Sequence, residues 1–410
     1  MSQNNSNSAK SNKVLLAFSG GLDTSYCIKY LKNEKKLEVH TAVVNTGGFS
    51  EEELQAIEKK ALELGSVNHT TLEVTEEYYD KIIKYLIFGN VLRNNTYPLS
   101  VSAERTYQAI ALAKHAAEIE ADYIAHGSTG AGNDQIRFDL VFQLIAPQIE
   151  ILTPIRDMKL SREQEVDYLK LNGVSLDWEK AKYSINKGLW GTSVGGAETL
   201  TSHKSLPEEA YPSPLLESEM KTVTLEFEKG ELCGINNEKM NAVKVIQTLE
   251  EIANKYAIGR DTHVGDTIIG IKGRVGFEAA AASIIIKGHH TLEKHTLSKW
   301  QLYWKEQLSN WYGMFVHESQ YFEPVMRNIE TFLEDSQSNV TGKVFIELHS
   351  YRFVIQGVES DYDLMKSDFG EYGEMNKNWS GDDVKGFTKI LGNPLQIFTQ
   401  IQNKNQKNEK

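Results

Sequence analysis

Cysteine is scarce in this 410-residue sequence, which holds only Cys27 and Cys233, far apart and without C-x-x-C spacing. Such a pair argues against a disulfide scaffold and a cysteine zinc site, and it fits a reducing cytoplasm. Long apolar runs are missing too, so we expect no membrane span. Residues 1–12 lack the apolar segment of a secretory signal, and we expect them to form a disordered tail.

Basic residues are also few relative to acidic ones, with 44 Lys and Arg against 56 Asp and Glu, so the formal net charge is −12. Nucleic-acid affinity depends on clustered lysine and arginine side chains that neutralise phosphates. A negative total therefore disfavours a nucleic-acid partner, although it leaves room for a local basic patch. The length allows about two domains with a sizeable core.

A strand, a glycine loop and a helix follow one another between Val14 and Leu31. The loop contains Gly20 and Gly21, whose missing side chains let backbone amides approach an anion. Three hydroxyl side chains and the positive end of the helix dipole favour the same ligand. No lysine follows the glycines, so the loop is not a Walker A motif. It predicts a phosphate site, and the alternative is a tight turn that binds nothing.

Strands and amphipathic helices alternate as far as about residue 165, which predicts an α/β fold with a doubly wound parallel sheet. Further strands are predicted at 39–44, 70–74, 122–126 and 149–152. Ser50 and Glu53 form a possible capping box at the start of a helix that ends at Gly65. Ligands bind at the carboxyl ends of such strands.

The alternation fails after about residue 166, where two hairpins are predicted at 223–235 and 344–358. This mixed order predicts a second, α+β domain. We expect a tail at 1–12, a nucleotide-binding domain at 13–165, a synthetase and multimerisation domain at 166–388 and a C-terminal arm at 389–410. An aromatic stripe between Trp300 and Phe315 is interpreted as a core or subunit-contact face.

A second polar loop runs from His126 to Arg137, directly after a predicted strand. It collects three glycines, two hydroxyls, an amide, a carboxylate and a guanidinium. A loop that only connects two elements would rarely hold so many directional groups, although an Asx-rich turn is the alternative. Arg137 can bind a carboxylate in a forked geometry, and Asp134 can pair with an ammonium group.

The segment AFSGGLDTS, from Ala17 to Ser25, resembles the pyrophosphate loop of the ATP-pyrophosphatase superfamily and of argininosuccinate synthases in particular. The second loop, HGSTGAGND, resembles the motif with which that family contacts its three substrates. The likeness covers roughly residues 13–386 and thins in the second domain. It implies an ATP-dependent ligase that joins citrulline to aspartate through a citrulline-adenylate, in a divergent member of bacterial type.

The resemblance implies three groups of site residues. The expected ATP ligands are Ala17, Phe18, Ser19, Gly20, Gly21, Leu22, Asp23, Thr24, Ser25, Val44 and Gly127. The expected aspartate ligands are Thr129, Asn133 and Asp134. The expected citrulline ligands are Tyr97, Ser102, Arg105, Asn133, Arg137, Ser184, Ser193 and Phe277. Mg²⁺ is expected on the phosphates, with Asp23 either as a ligand or as a helix cap.

Several positions depart from the family pattern. Ala131 stands where the family usually has lysine. Gly265 replaces an expected citrulline-binding glutamate, and Phe277 replaces a tyrosine. Either Asp266 takes over by a one-residue shift, or the acceptor differs from free citrulline, for example by N-acylation. An ATP-binding homologue without turnover is a further alternative.

The family's chemistry needs no covalent enzyme nucleophile, and Cys27 is expected to be packed inside a helix. The resemblance also implies a cytoplasmic homotetramer whose partners are small substrates rather than nucleic acid or membrane. Thiolation of tRNA is disfavoured, since no catalytic cysteine pair or basic RNA-binding module is apparent. A glutamine-dependent amidotransferase is disfavoured because nothing resembles a glutaminase domain.

Overall fold

The computed structural model describes residues 12–174, 182–366, 368–370, 372–374 and 378–408. The predicted tail at 1–12 lies outside this range except for Asn12. Within the described residues, five strands form a parallel sheet in the order β3-β2-β1-β4-β5. These strands are β1 Lys13–Ala17, β2 Glu38–Asn45, β3 Asn68–Glu73, β4 Tyr123–Ala125 and β5 Glu150–Leu152.

Strand β1 lies at the centre of this sheet, paired with β2 on one side and β4 on the other. Its apolar side chains alternate between two cores: Leu15 packs into one, while Val14 and Leu16 pack into the other. A strand buried on both faces explains the continuous apolar run in the sequence. The doubly wound α/β prediction is confirmed.

Helices cover both faces of the parallel sheet. They are α1 Leu22–Asn33, α2 Glu51–Leu64, α3 Thr75–Tyr78, α4 Lys84–Phe88, α5 Ser100–Glu118, α6 Asp134–Ile145, α7 Pro154–Met158 and α8 Arg162–Leu171, with a π-helical stretch Tyr79–Ile83 between α3 and α4. The predicted capping box is present at the start of α2, and Gly65 ends that helix with φ +106°. Strand order reverses beside β1, so the loops after β1 and β4 meet at one crevice.

The remaining sheets are antiparallel. One has the order β10-β9-β8-β13-β14 and another the order β11-β12-β7-β6. Their strands are β6 Ser184–Gly188, β7 Gly191–Gly195, β8 Lys221–Glu228, β9 Glu231–Ile235, β10 Glu238–Lys239, β11 Arg260–Asp266, β12 Lys272–Glu278, β13 Gly342–His349 and β14 Arg352–Glu359. Both predicted hairpins are present. The turn at Lys229 and Gly230 has φ of +48° and +79°, as a two-residue hairpin turn requires.

Four helices accompany these sheets, namely α9 Ala242–Asn254, α10 Ala280–Thr296, α11 Lys299–His317 and α12 Pro324–Ser336. The aromatic stripe lies on α11, but it is not a single buried face. Tyr312 is fully buried, whereas Trp300, Trp304 and Trp311 are 66%, 64% and 55% exposed. The core interpretation is therefore wrong for the tryptophans, which lie about 80–120° around the helix axis from Tyr312.

The described residues up to Tyr362 form one compact unit, and those from Asp363 onward form a second. The second unit contains α13 Gly381–Leu391 and α14 Asn393–Asn408. Residue 389, where we expect the C-terminal arm to begin, lies inside α13. The boundary at residue 165 stays a prediction. Over the described part of the chain, no helix is both long enough and apolar enough to cross a membrane.

Candidate functional site

The first glycine loop joins β1 to α1 at the carboxyl end of the central strand. Gly20 has φ +80°, a conformation that residues with a side chain adopt only at a cost. Gly21 is the N-cap of α1, and no side chain of the described residues caps the helix. The capping role considered for Asp23 is therefore not seen. The helix begins with backbone N–H groups directed at the loop, as an anion site requires.

The hydroxyls of this loop differ in role. Ser25 is fully buried and its Oγ donates to the Gly21 carbonyl at 2.7 Å. The Lys60 ammonium donates to the Gly20 carbonyl at 2.6 Å. These bonds hold the loop from behind, whereas Ser19 is exposed at its front. Ser25 and Lys60 thus act on the loop's shape.

The second loop follows β4 and touches the first. A Cβ on Gly127 would lie 3.1 Å from Thr24 Cγ2 and 3.2 Å from the Thr24 nitrogen. Glycine at this position lets the two loops approach each other. They therefore form one continuous surface.

A buried histidine fixes the start of the second loop. The Ser128 amide donates to His126 Nδ1 at 3.2 Å, so the neutral ring carries its proton on Nε2. That nitrogen donates to Asp139, 2.9 Å away. Arg156 Nη1 lies 2.6 Å from the other oxygen of Asp139. Burial opposes ionisation of Asp139, but the bonds from His126 and Arg156 keep the pKa of this carboxyl below its usual value.

Two clefts open around the loops. The first, of about 660 Å³, lies over the first loop and the ends of β1 and β2. The second, of about 560 Å³, lies over the second loop and strands β6, β7, β11 and β12. Both clefts are lined by Asp23, Arg105, Gly127, Ser128, Asp134 and Asn186. A ligand in one cleft can therefore meet a ligand in the other at these shared residues.

Asp134 lies between two arginines in the shared region. Its oxygens lie 3.1 Å from Arg105 Nε and 2.9 Å from Arg137 Nη1. Arg105 also contacts Glu104 at 3.0 Å and donates to Asn186 at 3.2 Å. Burial alone would raise the pKa of Asp134, but the two guanidinium groups lower it below its ordinary value. Asp134 therefore stays ionised at neutral pH.

Arg137 is held by the end of helix α11. Its Nε donates to the His317 carbonyl at 3.0 Å, and its Nη2 lies 3.3 Å from His317 Nδ1. An arginine can only donate, so His317 carries its proton on Nε2. Burial, followed by the charges of Arg137 and Arg93, lowers the pKa of His317 to about 2. The imidazole is neutral.

An aromatic group forms one wall of the second cleft. The Tyr97 ring stacks on His263 with 5.0 Å between centroids, and it lies 5.3 Å from Phe277. Phe277 pairs with Ser193 across β12 and β7. Phe277 is 2% exposed, so it supports Tyr97 from behind.

The structure brings most predicted site residues to these clefts. The first cleft is lined by Ala17, Phe18, Ser19, Gly21, Leu22, Asp23, Thr24, Val44 and Gly127. The second is lined by Tyr97, Ser102, Arg105, Thr129, Asn133, Asp134, Arg137, Ser184 and Ser193. Gly20, Ser25 and Phe277 line neither cleft, because they shape the loop or support a neighbouring ring. Their roles, like those of the lining residues, stay predictions.

Sequence reasoning missed His263 and His317, which both line the second cleft. The bond from Arg137 to His317 spans 180 residues, and no local motif marks such a partner. Asn186, which accepts from Arg105, is likewise absent from the predicted site residues. Asn133 is a predicted site residue, but its bond from the Ile268 amide at 2.9 Å was not predicted. This bond ties the second loop to the β11–β12 turn.

A magnesium ion would find few protein ligands here. Among the residues described, no group of three or more His, Cys, Asp and Glu side chains could hold a metal. Mg²⁺ typically keeps several waters and takes one or two carboxylates besides phosphate oxygens. Asp23 lines both clefts beside the first loop. Its carboxylate fits an ion that is held mainly by phosphates.

Comparison with known proteins gives one family for both halves of the chain. The model of the argininosuccinate synthase N-terminal HUP domain matches residues 13–175, and that of the C-terminal domain matches residues 183–398. The argininosuccinate synthase of Sulfurisphaera tokodaii is 35% identical over 95% of this chain and 99% of its own length. Those of Methanocaldococcus jannaschii and Xanthomonas axonopodis are each 34% identical, over 94% and 95% of this chain and 97% and 95% of their own lengths.

Proposed function

The chain belongs to the argininosuccinate synthase family, and from this we propose that it condenses a citrulline-type ureido acceptor with aspartate at the expense of ATP. Members of the family are ligases that form a C–N bond. The proposed products are argininosuccinate, AMP and diphosphate. The observation that carries the proposal is the contact of Gly127 with Thr24, because it joins a phosphate-type loop to a loop rich in amino-acid-binding groups.

Activation of the acceptor comes first in the proposed reaction. A ureido oxygen is a poor leaving group, so an amine cannot displace it directly. The oxygen attacks the α-phosphorus of ATP, the bond to the β-phosphate breaks, and diphosphate leaves with its electron pair. The first loop and the α1 N-terminus stabilise the departing diphosphate. Mg²⁺, when bound at Asp23, would neutralise phosphate charge.

Aspartate then replaces the AMP group. The aspartate amine attacks the activated ureido carbon, the C–O bond to AMP breaks, and the amine loses a proton. Asp134 stays ionised between two arginines and supplies the negative charge that would attract the amine end of aspartate. His317 orients the Arg137 side chain, whose guanidinium group can bind a carboxylate through two N–H groups. Catalysis in this scheme rests on positioning and charge stabilisation.

Transfer of labelled oxygen tests the activation step. A ureido acceptor labelled with ¹⁸O should give AMP that carries the label, since the ureido oxygen becomes a phosphate oxygen. Mass spectrometry of AMP provides the measurement. Unlabelled AMP formed together with condensed product would overturn the adenylate. The same reaction without aspartate serves as control for hydrolysis.

A protein that binds ATP without turnover is the second candidate. The two departures Gly265 and Phe277 favour it, since each removes a polar group that the family resemblance leads us to expect. Failure to form AMP with every ureido acceptor and aspartate, combined with measurable ATP binding, would support it. The cytoplasmic location and the homotetramer remain predictions.

A further inference from the structure

Within the described part of the chain, three buried polar atoms without a hydrogen-bond partner gather around the second cleft. They are Ser102 Oγ, His263 Nδ1 and His317 Nε2, and the three residues line the cleft while each is more than nine-tenths buried. Buried polar groups are almost always paired, so unpaired ones in a cleft point to a ligand. His317 Nε2 is a donor because Arg137 occupies Nδ1. His317 therefore requires a hydrogen-bond acceptor from its ligand, and the hydroxyl of Ser102 and the imidazole of His263 can donate to the same ligand.

Carboxylates in the same cleft are already committed. Among the described lining residues they are Asp23, Asp134 and Asp266. Asp134 lies between two arginines and is the group proposed above to attract the aspartate amine, Asp23 belongs to the first loop, and Asp266 lies 2.7 Å from Lys272 Nζ. Among the described lining residues, no carboxylate thus remains to pair with a ligand ammonium near His263.

In strand β11, Asp266 lies on the opposite face from His263 and Gly265. Side chains alternate between faces along a strand. His263 and Gly265 are on the buried face, whereas Val264 and Asp266 are on the exposed face. For Asp266 to take the place of the glutamate that the family resemblance leads us to expect at position 265, the strand would have to slip by one residue. The pairing of Gly265 with Gly273 opposes this slip.

His263 also keeps position 265 free of a side chain. An ideal Cβ on Gly265 would lie 2.6 Å from His263 Nε2. The ring is held by its stack on Tyr97. The two residues act together: the imidazole occupies the space that an inward side chain at 265 would need.

We propose that the acceptor is a citrulline-type ureido amino acid whose α-nitrogen is acylated. An amide carries no charge, so it avoids the cost of burying an unpaired ammonium. Its carbonyl oxygen and the α-carboxylate accept hydrogen bonds from Ser102, His263 and His317. The proposal rests on the proposed function, since it names the substrate class of the same site.

The test compares free citrulline, N-acetylcitrulline and N-succinylcitrulline as acceptors with ATP and aspartate. Diphosphate release gives kcat/KM, and mass spectrometry identifies the condensed product. We expect at least one acylated acceptor to be used as well as or better than free citrulline. A preference for free citrulline over both would overturn the inference but leave the proposed function intact. Absence of product with all three would overturn both.

A pair of variants tests the structural cause. Gly265→Glu combined with His263→Ala adds an inward carboxylate and frees the space it needs. This variant should shift the ratio of kcat/KM for citrulline to that for the acylated acceptor by roughly a hundredfold towards citrulline. Val264→Glu places the same side chain on the exposed face of β11 and should leave the ratio unchanged.

Two results of the variant test would contradict the inference: an unchanged ratio in the folded double variant, or an equal shift in Val264→Glu. Circular dichroism checks folding. If the double variant does not fold, calorimetric binding of citrulline and N-acetylcitrulline to the unchanged chain decides. Tighter binding of citrulline would then refute the proposal.

Discussion

Gly20 and Gly173 have nearly the same backbone conformation, with φ of +80° and +75°. Valine at either position should destabilise the chain by a similar amount, about 1–2 kcal/mol, because both sites are left-handed. Only Gly20 lies in the first loop. We therefore expect Gly20→Val to lower the rate of diphosphate release roughly a hundredfold or more, and Gly173→Val to leave it nearly unchanged.

Steady-state kinetics at saturating ATP, with thermal unfolding of both variants, gives the comparison. Equal rates in the two variants would mean that the first loop does not receive the diphosphate. The comparison requires that both variants lose the same amount of stability. We expect this because the φ angles of the two glycines are similar.

Asp134 offers a second test at this scale. Asp134→Asn keeps the shape but removes the charge that would attract the aspartate amine. We expect kcat/KM for aspartate to fall by roughly a hundredfold, mainly through KM. The exposed Asp167→Asn on helix α8 is the control. A loss confined to kcat for the acceptor, with KM for aspartate unchanged, would contradict the assignment.

Local signals were enough to predict many residues but not all of the site. The Ser50–Glu53 capping box and the Lys229–Gly230 turn depend on neighbours in sequence, and both are present. The contact from Arg137 to His317 depends on how α6 and α11 pack. A local sequence pattern does not indicate which distant residues will be in contact. Only the cleft residues that belong to a local motif could therefore be predicted.

At the scale of elements, helix α10 begins against a carboxyl from helix α9. Glu250 Oε2 accepts from the Ala281 amide at 2.7 Å. Burial raises the pKa of Glu250 to about 7, and the charge of Glu278 adds to the effect. The folded chain therefore holds a proton at pH values where the unfolded chain has released it. This contribution to stability is present below about pH 4.5 and is lost as the pH rises through about 7.

Glu250→Gln should remove that pH dependence. We expect the free energy of unfolding of the unchanged chain, minus that of the variant, to fall by roughly 1–3 kcal/mol between pH 5 and pH 8. Urea unfolding at several pH values measures it. Glu251→Gln, an exposed neighbour on the same helix, should leave the pH dependence unaltered. A difference for Glu250→Gln that is constant with pH would contradict the assigned pKa direction.

The alternation of strand and helix could be predicted from the sequence because each element of the parallel sheet buries a regular set of side chains. Leu15 alternates with Val14 and Leu16 between two cores, and this pattern is visible in the sequence. Helix α11 could be predicted as a helix, but the sequence did not indicate which of its faces is exposed. The spacing of Trp300, Trp304 and Trp311 gives the period of a helix but does not tell which side meets the core.

For the whole molecule, the exposed tryptophans of α11 bear on assembly. Trp300, Trp304 and Trp311 lie on one stripe and are each more than half exposed. Contiguous exposed apolar surface typically marks an interaction site. Combined with the predicted homotetramer, this favours contact between copies of the chain through α11. Trp300→Glu with Trp304→Glu would then place charge in an apolar contact.

The expected result of that double variant is a smaller species in light scattering coupled to size-exclusion chromatography. Glu306→Lys changes charge on the same helix about 140° around the axis from the stripe, and it should keep the mass of the unchanged chain. Because the stripe and the clefts use different residues, diphosphate release per chain would report whether assembly supports the site. An unchanged mass in the folded tryptophan variant would exclude the stripe as the contact surface between copies of the chain. The exposure of the tryptophans would then need another explanation.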